Sequence, residues 1–401
     1  MAARLTAYVV TVIVAITFVA GLIVGAQRDD AGPVDVMVLN GHVYTPDGKK
    51  TTAEAIAIQG NKILRVGTTR EIQRLRRAQT TVIDANGGTV LPGFIDVHAR
   101  VLEADATGAV EASSTAPDRL SAIRTAAADA IRRGITSVQT TCRSAGELEL
   151  YDELRRSGDL PVRVYAMLSA TTELSGSELD ALDELRQRYG DDPVFKTGAM
   201  QIAVDAVQNP VSFTQAALNR LVGELDKREW QIVMHTAGDR ALAMALEAYS
   251  RAIAANAVPS HGRRHRIEHV GTYGPVDMTP FAKLGVVESG QPWPAVALDP
   301  VLGIHVAVNG TLPDDQMLQQ PGPVEQMSLG DAVDAYTHRA AWGSFDEHRK
   351  GTIARDMLAD VVVLSKDIFT LPRARLAETE VTVTIFDGKV VFQKPATETD
   401  N

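Results

Sequence analysis

Three histidines of this 401-residue chain each close an apolar, strand-like run: His98 ends VLPGFIDVH, His235 ends QIVMH and His269 ends RIEH. A lone histidine on such a run is usually a hydrogen-bonded core residue. Three at equivalent strand ends point to one shared site, where each imidazole offers a neutral nitrogen to a metal ion. Three nitrogens and a water form the donor set of a catalytic, zinc-like centre. Residues two apart on a strand face the same way, so position 100 is aimed with His98 at the same place. It holds Arg100, whose guanidinium stays protonated at physiological pH. About 4 Å from another unit positive charge, it costs on the order of 4 kcal/mol at an effective dielectric of about 20, and roughly double against a dication. Asp96 shares the strand parity of His98, so it is also expected to face the interior.

The elements that must position these residues alternate between strand and helix. Leu91–His98 is followed by an Ala-rich helix at 117–133 and the strand-like GITSVQ at 134–139. Further strands are expected at 161–168, 195–204, 231–235, 264–269 and 286–289. Helices are expected at 146–157, 176–189, 211–227, 239–256, 277–284 and 329–341. Repeated βα units predict an α/β fold, a TIM-type (β/α)8 barrel over residues 91–350, with chemistry at the C-terminal strand ends. Seven or eight strands are legible, so an incomplete barrel stays open. Residues 34–90 alternate apolar and polar positions between turn signals such as Asn40-Gly41. Residues 351–393, with ADVVVL at 359–364 and VTVTIFDGKVVFQ at 381–393, have the same character. Together they predict one discontinuous β-sandwich assembled from both ends of the chain.

Residues 1–30 stand apart. Ala7 to Gly25 carries no charge over 19 residues, long enough to cross a bilayer. Arg4 precedes it, and Arg28, Asp29 and Asp30 follow. The expectation is a membrane anchor with an extracytoplasmic body, or a secreted body if Val24-Gly25-Ala26 is a signal cleavage site. A net charge of −10 without an extended basic patch argues against nucleic acid as a partner. The single cysteine, Cys142, excludes an internal disulfide and a thiolate metal cage.

Several motifs occur in an order that resembles the amidohydrolase superfamily, specifically its amidohydrolase 3 (YtcJ-like) branch. They are VLPGFIDVH, GITSVQ, MHTAGDRAL at 234–242, RIEHV at 266–270, WPAVALDPVLGIHVAV at 293–308, AYTHRAAW at 335–342 and ADVVVL. The resemblance spans about residues 34–393. It implies a metal-bearing barrel that hydrolyses non-peptide C–N bonds of small molecules with metal-activated water. It also implies metal ligands at His98, His235 and His269 and one divalent ion, zinc by the nature of the donors. Three family positions are replaced. The second opening histidine is Arg100, the fourth-strand lysine is Gln201 and the catalytic aspartate is Pro292. Gln201 cannot form a bridging carbamate, and Pro292 cannot accept a proton. The chain is also short, with Gly134 only 36 positions after His98 where relatives carry a long insertion.

Two readings follow. In the first, the three histidines hold one ion, and Glu288, Asp299 or Asp96 serves as the base. Arg100 then binds a carboxylate or carbonyl of the substrate. The bland role of Asp299 is to cap the helix it precedes, and Glu288 reads equally as a solvated strand-edge charge. Glu268 alternates with His269, so it is expected to point away from the site. In the second reading, the barrel is catalytically inactive and keeps a binding or structural role.

Overall fold

The computed structural model describes residues 33–45, 53–99, 115–170, 174–204, 213–236, 238–268, 277–289, 299–313 and 326–395. Six short strands precede the barrel: β1 (Val36–Leu39), β2 (His42–Val43), β3 (Ala55–Gln59), β4 (Lys62–Gly67), β5 (Thr81–Asp84) and β6 (Thr89–Pro92). The barrel strands are β7 (Phe94–Ala99), β8 (Ile135–Cys142), β9 (Arg163–Ala170), β10 (Phe195–Ala203), β11 (Gln231–His235), β12 (Arg266–Glu268) and β13 (Val287–Ser289). Strands β14 (Val361–Leu364), β15 (Val381–Phe386) and β16 (Lys389–Gln393) return to the first region.

One sheet runs β4-β3-β1-β5 and a second β16-β15-β14-β6-β2, so the second draws strands from both ends of the chain. Val36, Val38, Ile56 and Ile58 of the first sheet pack with Val90, Val361, Val363, Val383 and Ile385 of the second. Alternating β-branched residues give each sheet one apolar face, and the two faces close on each other as a sandwich.

The run expected as one strand, Leu91–His98, is split between two bodies. Val90 to Pro92 pairs with β14 of the sandwich, whereas Phe94 onward pairs with β8 of the barrel. Gly93 is the junction. A Cβ there would sit 2.1 Å from the Thr136 hydroxyl oxygen, so only glycine lets the two chains approach. Its N–H donates to the Asp360 carbonyl at 2.9 Å.

The barrel sheet runs β7 to β13 in chain order, with every neighbouring pair parallel. Helices Ala116–Arg132, Ala145–Ser157, Gly176–Tyr189, Gln215–Lys227, Asp239–Ala255 and Thr279–Leu284 intervene. Thr115, Ser144, Ser175 and Thr214 stand at the N-caps of the first four, residue types that suit that position. Val138, Leu168, Met200, Ile232 and Ile267 face these helices and share their core. Tyr165, Met167, Ala199 and Val233 form a separate interior cluster. In a flat sheet β7 and β12, five spacings apart, would be separated by about 24 Å. Yet His98 Nδ1 on β7 lies 3.3 Å from Glu268 Oε2 on β12. The sheet therefore curls into most of a barrel.

Among the described residues no pairing joins β13 to β7. The β7 edge is covered instead, with Ile95 N–H donating to the Tyr336 carbonyl at 2.8 Å and Ala340 and Ala341 packing on Ile95. An edge left bare would invite pairing with another chain. Helix His338–Gly343 also floors the interior. The Ala340 and Gly343 carbonyls accept from Gln139 and Gln231 at 3.0 and 2.8 Å, and the Ser344 carbonyl accepts from Lys196 at 2.7 Å.

No helix among the described residues is long and apolar enough to cross a membrane. That corrects the expected membrane placement, which nothing in the described structure carries. Ala7–Gly25 itself, on which the expectation rested, lies outside the described residues.

Buried charges fasten the barrel to the sandwich. Arg163 of β9, 2% exposed, donates to both carboxylate oxygens of Asp360 at 2.6 and 2.9 Å and to Asp387 at 2.9 Å. Beside this cluster Lys350 is fully buried, 3.4 Å from Asp346 and 3.2 Å from the Ser137 hydroxyl. Burial pushes its pKa down to about 8 despite the attraction of Asp346. Between that value and the ordinary lysine value, the unfolded chain binds the extra proton, so stability rises with pH. Stability measured by urea unfolding is therefore expected to climb from pH 8 towards pH 10 relative to Lys350→Met, which lacks this titration; parallel curves would refute it. Asp360→Ala, which takes away two of the three carboxylate bonds of the buried Arg163, should cost about 3–5 kcal/mol in the same assay.

Candidate metal centre

The C-terminal strand ends gather a compact polar set. Thr141 of β8, Gln201 of β10, His235 of β11 and Glu268 of β12 share the interior parity of Gln139, Ala199, Val233 and Arg266 on the same strands. His98 of β7 completes it. The Thr141 hydroxyl donates to Gln201 Oε1 at 2.8 Å, and Gln201 Nε2 donates to Glu268 Oε2 at 3.2 Å. The same carboxylate oxygen lies 3.3 Å from His98 Nδ1. The rings of His98 and His235 stand 6.5 Å apart between centroids, tilted by 31°. One layer deeper, Arg266 donates to Gln139 Oε1 at 2.5 Å and stands 3.9 Å from Glu268 Oε1.

Glu268 is the residue the sequence reading misplaced. It points into the site because Arg266 and Glu268, two apart on β12, both face the interior. The expectation drawn from its alternation with His269 is corrected by this shared parity. Its exposure is zero, and Oε1 has no hydrogen-bond partner among the described residues. Burial alone would raise its pKa, but the adjacent His98 imidazole and the charges of Arg266 and His235 hold it below the usual carboxylate range. The signal was present in the sequence as Arg266 and Glu268 on one short strand, a pair of opposite charges on a shared face.

Asp96 also meets the site, its Oδ1 accepting from the His98 backbone N–H at 2.9 Å. Burial, with Glu268 adding repulsion, pushes its pKa up. Asp299 is engaged as the N-cap of helix Pro300–Asn309, accepting from Val301 and Leu302 N–H at 3.0 and 3.2 Å. Glu288 lies on β13 in register with Ile267, whereas Ser289 is the residue beside Glu268. Arg100, His269 and Pro292 lie outside the described residues. Other histidines are structural: His42 pairs with Asp367 at 3.0 Å, and His265 bridges Ile232 N–H and Asp226.

His98 and His235 are two of the donors that one ion would need. Two imidazoles on one tetrahedral zinc have centroids about 5 Å apart, so the His98 and His235 rings need to draw in slightly. Gln201, where a bridging carbamate would form, is a neutral amide with both ends engaged. Among the described residues no three His, Cys, Asp or Glu side chains stand together as a metal-holding group. Such a centre needs a third donor from outside them.

Comparison with known proteins agrees with this fold. The putative amidohydrolase YtcJ of Bacillus subtilis is 21% identical over 297 residues, covering 62% of this chain and 55% of that protein. A metal-dependent hydrolase from Pyrococcus furiosus, described as uncharacterized, superposes with a TM-score of 0.65 at 16% identity, covering 83% of this chain and 99% of that one. An adenosine deaminase from Xanthomonas campestris with bound zinc gives 0.62 at 18% identity, covering 92% and 95%. Against the first curated relatives, the chain spans only 12%, 31% and 55% of their length. The profile described as "Amidohydrolase family" matches in two overlapping stretches, residues 99–324 and 293–392. With the order of motifs, the curled parallel sheet and the histidines at its strand ends, this chain is a member of the amidohydrolase family, in its amidohydrolase 3 branch.

Proposed function

We propose that this chain is a single-metal hydrolase of a non-peptide C–N bond in a small molecule. The observation that carries the reading is the meeting of His98 and His235, from strands four apart in the sheet, beside the buried Glu268 carboxylate. His98, His235 and His269 would hold one divalent ion, with zinc favoured by nitrogen donors. A bound ion supplies Lewis-acid polarisation and a water acidic enough to attack at neutral pH. The chain's own residues supply the rest. Asp96, half-buried and with its pKa raised, is the candidate to take a proton from water and return it to the departing nitrogen. Asp299 and Glu288 are the alternatives, the first already engaged in capping a helix. Arg100 would bind a substrate carboxylate or carbonyl. The replaced positions at Arg100, Gln201 and Pro292 support the second reading, a binding barrel without turnover.

Metal analysis of the full chain separates the two readings. Near-stoichiometric zinc, lost in His235→Ala, is expected; no bound metal after growth and dialysis with zinc would sink the hydrolase. Hydrolysis of an amide panel should fall at least about 100-fold in Asp96→Asn, as expected for removal of a general base. Asp299→Asn, which still caps, should keep both stability and rate within a small factor, and Asp299→Ala should lose about 1 kcal/mol of stability.

A further inference from the structure

At its foot, the seam between β11 and β12 is made by side chains. β12 begins only at Arg266. Arg264, two residues earlier, sits at φ 47°, and its carbonyl accepts from the Gln231 side chain at 2.8 Å. Ile232 of β11 is met there by two rings. Its N–H donates to His265 Nδ1 at 3.1 Å, and its carbonyl accepts from the Tyr249 hydroxyl at 3.0 Å. The same hydroxyl reaches the Arg266 carbonyl at 2.7 Å, and the two rings stack 5.0 Å apart. His265 therefore stands in for a rung of the ladder, three residues below His235 on the same strand.

A backbone N–H can only donate, so the Nδ1 that receives it carries no proton. The one proton of the neutral ring is then on Nε2, which lies 2.9 Å from Asp226 Oδ1. Asp226, on helix Gln215–Lys227, also accepts from Arg263 at 2.7 Å and from Asn256 at 2.9 Å. Among the described residues, Asp226, Arg263 and Tyr249 are the titratable groups around the ring, and burial keeps the Tyr249 phenol neutral. The imidazole is 1% exposed. Burial pushes its pKa down against the pull of Asp226, and the Arg263 charge adds to the fall. We propose that His265 is an acid-sensitive latch: a proton on Nδ1 sets two donors face to face, opens the rung to Ile232 and loosens the foot of the strand that carries His235. The folded ring holds a proton less well than an ordinary histidine, so the opened or unfolded chain binds more protons below about pH 6.5. The rung's contribution is whole above that value and is lost as pH falls below it. Burial would raise the pKa of Asp226, but its bonds to His265, Arg263 and Asn256 hold it far below the usual carboxylate range, so it does not titrate in that window. The latch works whether or not the barrel turns over a substrate.

Long-range proton–nitrogen NMR of the 15N-labelled full chain above neutral pH reads the ring directly, with His265 assigned by its disappearance in His265→Asn. The expected ring is protonated at Nε2 and bare at Nδ1. A proton on Nδ1 overturns the proposal, and that result needs no variant to fold. Hydrogen exchange then follows the Ile232 amide as the pH is lowered. Opening that takes up one proton becomes easier by a factor of ten per pH unit, so Ile232 protection should fall about tenfold between about pH 6.5 and about pH 5.5. The fall should exceed that of the amides of β14 in the sandwich; an equal fall, or none, overturns the latch. His265→Asn brings an amide oxygen close to the Nδ1 position and cannot titrate, so its Ile232 protection should hold level. Urea unfolding over the same range should show the wild type losing stability faster towards acid than His265→Asn, and parallel curves would overturn the proposal as well.

Discussion

The contact between His98 and Glu268 is the constraint on which the site depends. Their strands are five places apart, so the contact exists only if the parallel sheet curls, and the interior side chains decide how it curls. Apolar packing supplies part of that interior through Tyr165, Met167, Ala199 and Val233. The rest is polar and directional. Gln139 meets Arg266, Tyr165 meets Gln231 at 3.0 Å and Gln201 meets Glu268. Hydrophobic packing tolerates small shifts in register, whereas a buried hydrogen bond left open costs about 1–3 kcal/mol. The polar layers therefore select one curvature and one depth for each strand.

Burying an arginine and a glutamate inside the barrel is expensive, and apolar replacements would often be as stable or more so. Arg266 is 1% exposed and Glu268 is fully buried. The pair makes sense if the carboxylate has a task at the histidines, because stability alone does not require it. The same reasoning separates this cluster from the one at the opposite end of the barrel. There Arg163, Asp360 and Asp387 join barrel to sandwich, with no histidine among them.

Much of the architecture was legible because periodicity and caps report local physics. The helix expected at 146–157 is Ala145–Ser157, that at 176–189 is Gly176–Tyr189, and that at 239–256 is Asp239–Ala255. The sandwich drawn from both termini was legible from β-branched alternation. Two things were not. The run Leu91–His98 has uniform apolar character, so nothing in its pattern marks the change of sheet at Gly93. The face of Glu268 was read by alternation from His269, which lies outside the described residues, whereas Arg266 two positions earlier is the residue that shares its face. Of the replaced positions, Gln201 could be read as a loss from its chemistry alone. Its partners on β8 and β12 are 60 and 67 residues away, a separation that pattern reading does not cross.

The split at Gly93 has a further consequence. One glycine separates the strand that closes the sandwich sheet from the strand that carries His98, and its N–H is bonded to Asp360. The two bodies therefore have no linker between them at this point, and neither can loosen without pulling on the other's edge strand. They should melt as one cooperative unit. In evolutionary terms, the barrel cannot be traded onto a different partner domain as a module, because its first strand begins where the sandwich's sixth one ends.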